Sequence, residues 1–123
     1  MAKASEARIF RALLRRDFPT FVRKVFATLE SGQAYVVNWH LEAIAYQLER
    51  IRCGEIKRLI INMPPRSLKS VTASVAFPAF VLGHDPTRRI ICVSYSGDLA
   101  KKHANDFHAV VEAQVGVDRF ARE

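Results

Sequence analysis

The chain has 123 residues, half of them hydrophobic and a quarter charged, which supports a packed core and excludes wholesale disorder. Lys and Arg number 19 against 12 Asp and Glu, a net charge of +7. No apolar run reaches the roughly 20 residues of a membrane-spanning helix, the start carries no secretory-signal pattern, and Cys53 and Cys92 fit neither a metal spacing nor a disulfide framework, so they read as free thiols of a reducing compartment.

Residues 5–16 place Ile9, Phe10, Leu13 and Leu14 on one face and Arg8, Arg11 and Arg15 on another, the pattern of an amphipathic helix. Residues 1–24 hold seven basic side chains against Glu6 and Asp17. Such a stretch is either an electrostatic contact for a polyanion or a solvated helix face. Asp17-Phe18-Pro19 interrupts the pattern. A second helix is expected from Pro19, using Phe21, Val22, Val25, Phe26 and Leu29 and stopping before Gly32. Residues 34–37 read as extended or loop, and Asn38 as the N-cap of a third helix with Leu41, Ile44, Leu48 and Ile51 inward, ending at Gly54.

The period then changes. Residues 58–62 are a short apolar run expected to form a buried strand. Pro64 and Pro65 end it, and 63–68 read as a loop. A helix is expected from Lys69 to about Leu82, kinked or shortened by Pro78. Residues 89–95 read as a second buried strand, and Ser96 as the cap of a last helix from 97 to about 114, with Leu99, His103, Phe107, Val110 and Val111 inward. The tail, 116–123, is polar. This order predicts an α/β fold, a parallel sheet with flanking helices, of which the two strands would be only a part. Residues 1–33 are expected as a basic helical segment and 34–123 as the N-terminal part of a longer α/β domain.

A strand, a tight loop, Lys-Ser and a helix form the arrangement of a phosphate-binding loop, in which backbone N–H groups and a lysine meet phosphate oxygens and the hydroxyl holds Mg²⁺. Met63-Pro64-Pro65-Arg66-Ser67-Leu68-Lys69-Ser70 has the length, the lysine and the hydroxyl. It departs from the strict pattern, because Met63 and Leu68 stand where glycines permit close phosphate approach and the two prolines remove N–H donors.

The run from Arg58 to Ser70 resembles the deviant Walker A region of tailed-phage terminase large subunits, whose loops typically read Pro-Pro-Arg-x-Gly-Lys-Ser, with a leucine variant before the lysine. The resemblance continues upstream at Asn38-Trp39-His40 and Gly54–Arg58, and downstream at Phe77–Pro86 and Ile91–Ser96, and covers roughly residues 35–112. It implies a partial P-loop NTPase fold and a motor that binds ATP and Mg²⁺ and drives double-stranded DNA into a procapsid. It also implies a portal protein and a small terminase subunit as partners, a ring oligomer, no membrane, and a place in the bacterial host cytoplasm, transiently at the portal.

By the same resemblance Pro65, Arg66, Ser67, Leu68, Lys69 and Ser70 cradle the nucleotide. Lys69 contacts the β- and γ-phosphates, Arg66 acts on the γ-phosphate, Ser70 ligates Mg²⁺, and Trp39 and His40 sit near the adenine. A solvent-facing Arg66, a core Trp39 and a capping His40 are the plainer alternatives. His84, His103 and His108 do not converge with carboxylates at ligand spacing. Ser94-Tyr95-Ser96 would end the second strand at the sheet edge where ligands bind.

No apolar run leads directly into an acidic pair able to hold Mg²⁺ and activate water, and no acidic nuclease cluster follows. The chain is therefore expected to be an incomplete domain, inactive as an ATPase alone. Two other readings remain: part of another P-loop ATPase or helicase, and a non-enzymatic basic α/β module that binds nucleic acid.

Overall fold

A computed structural model of the chain describes residues 2–36, 38–64 and 68–115. Met1, Val37, Pro65, Arg66, Ser67 and the tail 116–123 lie outside the described residues, and with them the expectations placed on Pro65, Arg66 and Ser67.

Helix α1 spans Ala2–Arg16 and α2 spans Phe18–Leu29. Asp17 separates them. Its carboxylate accepts from the Thr20 N–H at 3.1 Å and from the Thr20 hydroxyl, while Pro19 stands where a helix does not need its missing N–H. Helix α2 buries Phe18, Phe21, Val22, Val25 and Phe26. Helix α3, Trp39–Arg52, buries Leu41, Ile44, Ala45 and Leu48. Asn38 occupies its N-cap position in an extended conformation, without a side-chain hydrogen bond. Gly54, at φ 80°, supplies the left-handed residue that closes the C-terminus.

Residues 69–84 are continuously helical, but the middle, Val71–Ala76, is wound as a π-helix before α4, Phe77–His84. Pro78 supplies the physical reason. It has no N–H to donate, and its ring crowds the carbonyl four residues back. The turn ahead of it widens, and the Phe77 N–H reaches Thr72 O, five residues back. Helix α5, Gly97–Val110, starts at Ser96, whose hydroxyl accepts from the Leu99 N–H at 3.2 Å. Its inward side chains are the expected ones, with Val110 fully buried.

The core is aromatic at its centre. Phe18, Phe21 and Phe80 are fully buried, with Phe80 5.1 Å from Phe18 and 5.3 Å from Phe21 between ring centroids. Helix α2 lies in the middle, against α1, α3, α4, α5 and the π-helical turn.

The α/β parallel-sheet, P-loop NTPase fold expected above is corrected here. Every regular element among the described residues is helical, and no strand or sheet forms. Residues 58–62 and 89–95, expected as buried strands, have no ladder partner among the described residues. A strand exists only through the hydrogen bonds of a neighbour. Leu59, Ile61 and Met63 pack against the core, yet Ile60 between them is 84% exposed. The strand-like alternation is present and the pairing is not.

Candidate functional site

The loop expected to bind phosphate begins at Met63 and re-enters the described chain at Leu68. Leu68 has a φ of 62°, the only described non-glycine residue with positive φ, and it stands at the position where the strict motif has its second glycine. Its carbonyl is held twice, by the Thr72 N–H at 3.0 Å and the Thr72 hydroxyl at 2.9 Å. Thr72 is fully buried, so this first helical turn anchors the loop's exit. Lys69 follows, and its Nζ donates to Met63 O at 2.6 Å. The ammonium thus bridges the two ends of the loop on an oxygen acceptor. Ser70 is exposed in the first turn of the helix, near the positive end of the helix dipole.

A cleft of about 410 Å³ opens beside the loop. Met63, Pro64 and Leu68 line it from the loop, and Gln33, Val36, Asn38 and His40 line it from the segment that leads into α3. The structure therefore brings together two segments that the sequence separates by more than twenty residues, the Asn38-Trp39-His40 stretch and the lysine loop. Within that stretch it divides the candidates. His40 is half-buried and lines the cleft, whereas Trp39 is 79% exposed and does not. That exposure excludes core packing for Trp39.

Gln33 and Val36 were not legible as site residues. They reach the cleft because the chain leaves α2 and turns at Gly32, a consequence of tertiary placement with no local pattern. Tyr35, between them in sequence, meets the Phe26 ring in a tilted contact at 5.3 Å between centroids, and the Arg23 guanidinium lies 5.7 Å from the Tyr35 ring centroid. Burial raises the Tyr35 phenol above its usual value, opposed by the nearby Arg23 charge.

The remaining candidates sit elsewhere. His84 packs edge-on to Phe80 at 4.6 Å. Its pKa lies below the usual histidine value because packing removes hydration, with Arg52 repelling the charged form. His103 lines a separate cavity of about 270 Å³ together with His108, Cys92 and Ser94, and its Nδ1 is buried without a hydrogen-bond partner. Among the described residues no group of three or more His, Cys, Asp or Glu is placed to hold a metal ion. No helix among them is long and apolar enough to cross a membrane.

No family model matches this chain, and neither a curated protein nor a solved structure matches it.

Proposed function

We propose that the cleft between residues 33–41 and the lysine loop binds ATP with Mg²⁺, and that the chain is part of a DNA-packaging motor ATPase of the terminase large-subunit kind. The observation that carries the reading is the Lys69 bridge. A lysine at the first turn of a helix donates across its own loop to a carbonyl oxygen, the type of acceptor that a phosphate oxygen replaces with a stronger, charge-assisted bond. The left-handed Leu68 supports it, since backbone held in a costly conformation concentrates at ligand-binding turns.

In this reading the cleft takes the nucleoside and the loop takes the phosphates. Lys69 exchanges the Met63 carbonyl for the β/γ oxygens, and the Ser70 hydroxyl holds Mg²⁺. His40 and Gln33 offer hydrogen-bonding edges to a base. Bound Mg²⁺ would neutralise phosphate charge. Double-stranded DNA is the translocated substrate, portal protein and small terminase subunit the partners in a ring, and the host cytoplasm and procapsid portal the places of work. The reading rests on the loop, the cleft and the sequence resemblance, and not on a sheet.

Titration of a fluorescent ATP analogue in the presence of Mg²⁺ tests it. Native chain should bind saturably. Lys69→Ala should weaken binding by roughly ten- to a hundredfold, the loss of one charge-assisted contact of about 1.5–3 kcal/mol. Equal affinity in the two proteins, both folded by circular dichroism, removes the loop as the phosphate site.

A second reading, nucleic-acid binding without nucleotide chemistry, is favoured by α1. It carries Lys3, Arg8, Arg11, Arg15 and Arg16 against one acidic residue, Glu6, and buries no side chain. Saturable binding of duplex DNA with no response to ATP supports that reading over the first.

A further inference from the structure

The C-terminal ends of α3 and α4 meet at a pocket that shares no residue with the nucleotide cleft. Arg52 closes α3, and the chain leaves α4 at His84 through a turn that Asp85 builds. The Asp85 carboxylate accepts from the Thr87 N–H at 3.1 Å, and the Asp85 carbonyl accepts from the Arg88 N–H at 3.2 Å. The turn brings Arg88 and Arg89 to the same pocket as Arg52, a volume of about 240 Å³. Phe77 and Val81 of α4 line it as well, with Ile51 and Ile90.

The arginines have donors to spare. Arg52, whose side chain is 27% exposed, donates to Glu49 from Nε at 2.8 Å and from Nη2 at 3.0 Å, and its guanidinium lies 5.6 Å from the Phe80 ring centroid. It is fixed in place, and its Nη1 makes no hydrogen bond among the described residues. Arg88 meets Asp85 through Nε alone, at 3.1 Å. Arg89 is exposed and has no ion pair among the described residues. Against these three cations the described lining sets one carboxylate, that of Asp85.

We propose that this pocket receives an acidic segment of a partner protein, with one apolar side chain entering it and carboxylates on either side meeting the arginines. A pocket both apolar and net positive selects an occupant both apolar and anionic. A phosphodiester backbone brings charge but no apolar group, so DNA satisfies the arginines and leaves the apolar lining wet. A small monocarboxylate brings an apolar body but one charge, where the arginines exceed the carboxylate by two. An acidic segment supplies both, and guanidinium forks pair with its carboxylates. The volume suffices, since a cavity of about 150 Å³ holds a benzene ring. One buried apolar anchor among arginine contacts is also how binding energy concentrates at protein interfaces. The inference does not rest on the nucleotide reading.

The experiment is fluorescence anisotropy of a labelled peptide, one phenylalanine flanked on both sides by glutamates, titrated with the full chain. Binding should saturate. Arg89→Glu reverses a charge that pairs with nothing among the described residues, so it should raise the dissociation constant about tenfold or more with unchanged circular dichroism. Replacing the peptide's phenylalanine by alanine, or its glutamates by glutamines, should each weaken binding to the native chain by as much. Titration of the fluorescent ATP analogue should give the same affinity for Arg89→Glu as for the native chain, which keeps the two sites separable. Absence of saturable binding, indifference to Arg89→Glu, or equal affinity for the peptide without phenylalanine overturns the proposal. So does displacement of the peptide by phenylacetate at equal concentration, or by duplex DNA at equal concentration of charge.

Discussion

Leu68 is the residue at which local cost is most visible. A left-handed backbone conformation costs a residue with a Cβ about 1–2 kcal/mol, and here it persists because its carbonyl is pinned by both donors of buried Thr72. Removing the side chain in two ways isolates the backbone contribution. Leu68→Ala and Leu68→Gly lose nearly the same contacts, but only glycine is at ease at positive φ. Urea denaturation should find the glycine variant more stable than the alanine variant by roughly 1 kcal/mol, against the usual order in which glycine is the more disruptive. Equal stabilities would show that the strain is relieved in solution. Leu68 stands where the strict motif has a glycine, and its φ angle shows that the chain adopts the glycine-like conformation regardless.

Among the elements, α1 stands apart. Its apolar stripe of Ile9, Phe10 and Leu13 remains exposed, while α2, with a comparable periodicity, is the middle of the core. The difference is one of partners. Leu14 is the half-buried end of the stripe, where α1 approaches α2 and α4, and the rest projects beyond them. Deleting residues 2–16 should therefore lower the melting temperature by no more than about 5 °C, a loss near 1 kcal/mol for a domain of this size. The same deletion should flatten the salt dependence of duplex DNA affinity, because it removes five cations whose phosphate contacts release counterions. Fluorescence anisotropy across about 50–200 mM salt measures it. A slope identical to that of the intact chain would assign the basic charge of α1 to solubility alone.

At the scale of the whole molecule, the described lining of the cleft consists of amide, imidazole and apolar groups. Asp106 of α5 is paired with Lys102 at 2.9 Å and does not line the cleft. Phosphoryl transfer depends on positioned charge and an activated water, and partial sets of groups do not substitute for complete ones. The chain by itself should bind ATP without useful turnover. A phosphate-release assay with Mg²⁺ and duplex DNA should read well below about 1 s⁻¹, the low end of common enzyme rates. Turnover at that level which disappears in Lys69→Ala would mean that a carboxylate outside the cleft reaches the reacting water.

What the sequence by itself determined is local in origin. The inward faces of α2, α3 and α5 follow from spacings of three and four. The stop at Gly54 follows from its freedom at positive φ. The breaks at Asp17 and Ser96 follow from side chains that satisfy their own helix's first N–H groups. The lysine loop before a helix was equally readable, since its parts are contiguous. Only the tertiary structure decided which segments meet. It set Gln33 and His40 beside Met63 and Leu68 in one cleft, sent Trp39 to solvent, and left 58–62 and 89–95 without a ladder partner among the described residues. A helix closes its hydrogen bonds within four residues, so its evidence lies in the neighbouring sequence. A strand and a cleft are relations between distant segments, and apolar alternation states only what a segment is able to pair with, not whether a partner is in place.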